Sequence, residues 1–148
     1  GLDTAMSVGD HIRAARHYIT RLDTLWMRAV PDRDERLRFV LASYNAGVGH
    51  IIDAQRLAER LGLDPRRWEH NVERAVLLLA KPRYYTRPEM KSGYCKGSQV
   101  FHYVRDILAL YNQLTGMRGV GVKQTYTHQD PSPGAATEAE PAMEDPKP

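Results

Sequence analysis

A serine, a tyrosine and an asparagine stand side by side at Ser43, Tyr44 and Asn45, and glycines follow at Gly47 and Gly49. An amide donates and accepts hydrogen bonds at once, and a tyrosine offers a ring face as well as a hydroxyl. That pairing suits a ligand rich in hydroxyls and acetamides. The two glycines add backbone freedom that other residues lack. Asn and Gly at a helix end are also ordinary capping chemistry, and on composition alone capping is the commoner role. A second dense stretch is residues 83–97, RYYTRPEMKSGYCKG, with three tyrosines, two glycines and a proline. It breaks every helical period and reads as a surface loop too aromatic to be a mere linker. One of Tyr84 and Tyr85 is expected to pin it to the core.

Metal and redox chemistry find little support. The six histidines (11, 17, 50, 70, 102 and 128) are scattered, and no pair has a metal-ligand spacing with a suitable third partner. His17 and His102 fall on helical stretches as surface residues. The single cysteine, Cys95, excludes an internal disulfide and a Cys-based zinc cluster. Neither a metal nor a cofactor is expected.

The elements that must position these residues are helices. Val8, Ile12, Ala15, Ile19, Leu22 and Trp26 recur every three or four positions, with Ser7 or Asp10 able to cap the start and Pro31 ending the segment. Leu37, Val40, Leu41 and Tyr44 place an apolar face on a second helix that runs out at Asn45. A third spans about Val48 to Leu61 and stops at Gly62. Asp64-Pro65 predicts an immediate restart, because Asp caps well and Pro is tolerated in the first turn. Trp68, Val72, Ala75, Val76 and Leu79 give that fourth segment its buried side, and Lys81-Pro82 closes it. The last helix carries Val100, Tyr103, Val104, Ile107, Leu108, Tyr111 and Leu114 and ends before Gly116. No strand pattern and no repeat occurs, so the fold class is all-α. Residues 1–122 read as one domain, and 123–148, rich in Pro, Glu and Ala, as a disordered tail.

Charge divides along the same line. The first 122 residues carry 19 basic and 13 acidic side chains, and the tail is acidic. A basic body attracts nucleic acid, anionic lipid or an anionic cell-wall polymer. The arginines are spread along helices and form no recognition-helix cluster, which argues against nucleic acid. No apolar run approaches the length needed to span a bilayer, and residues 1–6 carry no secretory pattern. A piece of a longer exported chain would read the same way.

A-S-Y-N-A-G at 42–47, G-L-D-P-x-x-W at 62–68, Tyr84-Tyr85, and G-Y-x-x-G at 93–97 before a helix containing Tyr103-Val104 together resemble one family. The stretch 7–115 looks like the latter part of a lytic transglycosylase domain of the soluble, goose-lysozyme-like type, nearest the membrane-bound murein transglycosylase F branch. The resemblance implies a lysozyme-like helical fold and periplasmic cleavage of peptidoglycan between N-acetylmuramic acid and N-acetylglucosamine, leaving a 1,6-anhydro end. An outer-membrane association is implied with it. Glycan strands are the implied partner, completed by an upstream domain or a further chain. Tyr44 and Asn45 match the Tyr-Asn pair that lines the family's groove, and Tyr103 matches the tyrosine of its E-T-x-x-Y-V motif. Gln99 and Val100 replace the motif's acid and threonine, and Ser43 falls where many members have alanine. Ser43, Gly47, Tyr84 and Tyr85 complete the implied substrate-binding set. The family's catalytic glutamate lies in an upstream E-S motif followed by G-L-M-Q, and neither motif occurs here, so no catalytic residue is assigned. Asp10, Glu69 or Glu89 could replace that acid only by facing the groove. A catalytically inactive glycan-binding module is the alternative, and a basic nucleic-acid-binding domain the weaker one.

The tail has too few apolar residues to offset the entropy of ordering it. Truncation after Val122 should therefore leave the melting temperature within a few degrees of the full chain, measured by circular dichroism.

Overall fold

The N-terminal helix begins with a reciprocal cap: the Ser7 hydroxyl accepts from the Asp10 amide at 3.1 Å, and the Asp10 carboxylate accepts from the Ser7 amide at 3.2 Å. Those hydrogen bonds, with Arg13 close by, hold the exposed Asp10 carboxyl below its ordinary pKa. The computed structural model describes residues 6–116. Among them are six α-helices and no strand: α1 Val8–Trp26, α2 Arg33–Ala46, α3 Val48–Arg60, α4 Glu73–Leu78, α5 Pro82–Tyr85 and α6 Gly97–Gly116. The sequence-predicted tail beyond Lys123 lies outside the described residues.

Helix α2 is the centre of the fold. It packs against α1, α3 and α6, and Phe39, Val40, Ala42 and Ser43 are all buried. The expected single apolar face of Leu37, Val40, Leu41 and Tyr44 is therefore corrected: Leu37 and Leu41 are half-buried and Tyr44 is exposed. A helix enclosed on several sides has no one stripe for periodicity to reveal. Phe39 anchors the core, with its ring centroid 5.3 Å from Trp26 and 5.7 Å from Trp68. Each such ring removed from water contributes roughly 1.5–3 kcal/mol.

Arg36, buried in the first turns of α2, makes the corner between α1 and α2. Its Nε donates to Asp23 at 2.8 Å, and its terminal nitrogen donates to the carbonyls of Pro31 and Val30 at 2.9 and 3.2 Å. Carbonyls of the segment joining α1 to α2 thus find a cationic donor. At its other end α1 is less supported. Only Leu22 and Trp26 of its apolar series are buried, while Val8, Ile12 and Ile19 are exposed.

The immediate helix restart expected at Asp64-Pro65 is corrected by the structure. The Asp64 carboxylate accepts from the Arg66 amide at 2.9 Å, closing a local turn. The Asp64 amide is held by Asn71 and the Trp68 amide by Glu35, each at 2.9 Å. Arg67 and Glu69 are extended and His70 has φ 62°, so regular helix resumes only at Glu73. The side-chain bonds compete with helix for the same backbone groups. Trp68 is nevertheless buried, as its apolar period requires.

Within the expected loop at 83–97, Pro82–Tyr85 forms the short helix α5 and the remainder is irregular. Asp53 of α3 fixes it. Its carboxylate, 1% exposed, accepts from the amides of Lys91 at 3.1 Å and Ser92 at 2.7 Å, with Arg56 at 3.2 Å. The amide of Cys95 then donates to the Leu79 carbonyl at 3.2 Å. From there the chain enters α6 through Gly97. A Cβ at Gly97 would overlap the Val76 carbonyl oxygen and lie 2.7 Å from Leu77 Cα. Because both obstacles are backbone, no rotamer change relieves them. Gly97→Ala should lose about 2–3 kcal/mol of unfolding free energy, read as a lower midpoint in urea with an unchanged slope.

Candidate functional site

The last residues of α2 and the glycine that follows have different environments. Ser43 is fully buried, and its hydroxyl accepts from the indole Nε1 of Trp26 at 2.9 Å. That hydroxyl thus satisfies a core tryptophan. Tyr44 faces outward, its ring 5.8 Å from that of Tyr18 on α1. Asn45 and Ala46 line a cavity. Gly47 closes the segment at φ 96° and ψ 145°, a conformation essentially confined to glycine, while its amide donates to the Ser43 carbonyl at 2.8 Å. A Cβ there would meet nothing within 4 Å. Gly47 is needed for the sharp α2–α3 corner, not for the space it leaves.

Helix α6 brings the opposing side. Tyr103, in its second turn, has its phenol pushed above the usual tyrosine range by burial first and by the neighbouring Tyr44 second. Two hydroxyls separated by nearly 60 positions in sequence therefore sit close enough to sense one another. A phenol hydroxyl can donate as well as accept. One turn earlier on α6, Gln99 and Val100 face Asn45 and Ala46 across a cavity of about 260 Å³. His50, Tyr94, Cys95 and Lys96 complete its lining. Tyr44 and Tyr103 do not line it; Tyr44 adjoins the lining residue Asn45 on α2, and Tyr103 stands one turn on from the lining residues Gln99 and Val100 on α6.

The loop contributes unequally. Tyr84 is 4% exposed, with the guanidinium groups of Arg87 and Arg83 5.1 and 5.8 Å from its ring centre. It is the residue that pins the loop to the core. Tyr85 is half-buried and meets Tyr94 edge-on at 5.7 Å. Tyr94 is 57% exposed beside the cavity. Burial, with Asp53 as a second cause, pushes the Cys95 thiol up.

None of the three candidate acids lines the cavity. Asp10 belongs to the α1 cap with its pKa lowered, Glu89 pairs with Arg60 at 3.1 Å, and Glu69 lies in the irregular turn near His70. Burial raises the carboxyl of Glu73, but that residue is engaged by the His70 amide at 2.8 Å and is also absent from the lining. Among the described residues no group of three His, Cys, Asp or Glu side chains is placed to hold a metal ion.

Sequence reasoning passed over His50, Lys96 and Tyr18. Their signal was present in part: His50 follows the glycine corner directly, and Lys96 precedes the tyrosine-bearing helix. Tyr18 has no such signal, since only the α1–α2 packing sets it beside Tyr44.

No family model matches this chain. It is similar to proteins named membrane-bound lytic murein transglycosylase F. Identity is 41% over 103 residues with the one from Pasteurella multocida (strain Pm70), covering 70% of this chain and 20% of that protein. With that of Shewanella loihica it is 34% over 114 residues, 77% and 23% of the two chains. With that of Shewanella sp. (strain ANA-3) it is 31% over 132 residues, 89% and 27%. The chain thus spans roughly a quarter of the length of the relatives it matches.

Asp53 holds the loop that brings Tyr94 and Lys96 to the cavity. Asp53→Asn, with one carboxylate oxygen fewer for two amides, should cost about 1.5–3 kcal/mol. The same change should speed alkylation of Cys95 several-fold under native conditions, because the thiol loses both its cover and an adjacent negative charge.

Proposed function

Since the chain is a homologue of a segment of the membrane-bound lytic murein transglycosylase F proteins, we propose that it forms one wall of a peptidoglycan-binding groove in a lytic transglycosylase. The substrate class is the glycan strand of alternating N-acetylglucosamine and N-acetylmuramic acid. Tyr44 and Tyr103 form the rim, Asn45 addresses an acetamide, and Tyr94, braced by Tyr85, offers a face for a sugar ring. The proton donor for glycosidic cleavage comes from outside the described residues. In this reading the reaction belongs to the longer protein, in the periplasm, and these residues hold the strand in register for it. Among the described residues no helix is long and apolar enough to cross a membrane.

The observation that carries the reading is the meeting of Tyr44 and Tyr103 from two helices beside the cavity that Asn45 lines. Helix capping alone accounts for an amide at the end of α2, but it gives no reason for two exposed or half-exposed tyrosines to meet there. Amphipathic rings beside amides suit saccharides, whose apolar faces alternate with hydroxyls. The absence of a raised acid from the cavity lining supports a positioning role. Protonating the leaving group requires a carboxyl whose pKa the site has lifted.

Asn45→Ala separates the two roles of the amide. Loss of one neutral hydrogen bond, about 0.5–1.5 kcal/mol, should weaken binding of a peptide-free murein oligosaccharide by several-fold in calorimetry and barely alter the melting temperature. A stability loss near 2 kcal/mol, the upper range for a helix cap, with unchanged binding would assign Asn45 to capping alone.

A further inference from the structure

The cavity that Asn45 lines has a charge character that a groove for neutral sugars does not need. Lys96, His50, Asn45 and Gln99 all line it, and no acidic residue does. Among the described residues Lys96 makes no ion pair, so its ammonium has no internal counter-charge. His50 is the second anomaly. Its Nδ1 is buried without a hydrogen-bond partner, a condition that native structures rarely tolerate in a polar atom. A buried lone pair left unmet is tolerated more readily than a buried N–H left unmet. With its proton on Nε2, the imidazole would offer that nitrogen as a donor. The cavity is therefore lined by a cationic side chain, an imidazole and two amides.

Resting on the groove reading above, we propose that this cavity is a carboxylate-binding subsite, in which Lys96 and His50 take a carboxylate carried by the muramic acid residue of the strand. Two carboxylates satisfy that chemistry. One is the lactyl carboxylate of muramic acid, free where the peptide has been removed. The other is a carboxylate of the peptide stem, present where it has not. Either would hang from the sugar next to the ring held by Tyr44 and Tyr103, and either would be absent from a chitin oligosaccharide of the same length. The subsite would thus tell murein from chitin by charge, while Asn45 and the tyrosines engage features the two polymers share.

The test measures binding of the full chain to three tetrasaccharides by calorimetry: peptide-free murein, the same compound with its lactyl carboxylates converted to methylamides, and murein bearing stem peptides. The variants are Lys96→Gln and His50→Gln, the first at an exposed position with no structural bond to lose. Wild-type protein should bind a carboxylate form about 5- to 10-fold more tightly than the methylamide, as one charge-assisted contact allows. Lys96→Gln should erase that difference and leave methylamide binding unchanged. Loss on the peptide-free strand identifies the lactyl group, and loss on the peptide-bearing strand alone identifies the stem. Equal affinity of wild-type protein for acid and methylamide overturns the subsite while leaving the groove intact. Failure to bind any of the three overturns both readings together. His50→Gln keeps an N–H donor, so it should retain more than half of the carboxylate preference that Lys96→Gln abolishes. A preference that survives in Lys96→Gln also overturns the proposal.

Discussion

One buried carboxylate sets the positions of the groups that matter. Asp53 is an acid in the middle of α3, almost fully enclosed, and it is satisfied by two backbone amides and one guanidinium. Burying a charge is costly unless its hydrogen bonds are nearly complete. Here the bonds come from residues 38 and 39 positions further along, so the loop must sit where the carboxylate needs it. Through that constraint Tyr94, Cys95 and Lys96 reach the end of α2, and Gly97 lets α6 approach the backbone of α4 without a Cβ between them. Tyr103 follows one and a half turns later. The cavity and the tyrosines beside it are consequences of where the loop is tied.

The end of α2 illustrates how one short segment divides its work. Ser43 turns inward and satisfies Trp26, Tyr44 turns outward toward Tyr18 and Tyr103, Asn45 lines the cavity, and Gly47 supplies a backbone turn that other residues resist. Four successive roles follow from about 100° of rotation per residue. Because α2 also packs against α1, α3 and α6, the core is in direct contact with the end of that helix. Groups that must hold a flexible polymer gain from such support, since ordering them at binding would cost conformational entropy.

Much of the helical order was legible in the sequence, because periodicity, caps and prolines are local signals. The α1 cap at Ser7 and Asp10, the glycine corner at 47 and the tyrosine-bearing α6 all fall where those signals put them. The irregular turn at 64–72 was not legible. Asp64-Pro65 is a good helix start in isolation, and only the distant Glu35 on the Trp68 amide and the Asn71 side chain on the Asp64 amide show why helix is delayed. The same limit applies to function. Tyr44, Asn45 and Tyr103 could be picked out by type and resemblance, whereas Ser43 and Tyr84 could not be recognised as core residues until their partners were known. Asp53, His50 and Lys96 derive their meaning wholly from residues remote in sequence, and periodicity has no access to that information.

The central claim is that the end of α2, the start of α6 and the loop before it form one surface for a murein strand. The most direct measurement is a nuclear magnetic resonance titration of the labelled chain with a peptide-free murein tetrasaccharide. The account predicts that shifts in the Asn45 side-chain amide and in the rings of Tyr44, Tyr94 and Tyr103 follow one saturating curve, while Tyr84 and the indole of Trp26 stay still. Shifts confined to the exposed arginines of α1, or separate curves for the Asn45 and Tyr103 side chains, would contradict it.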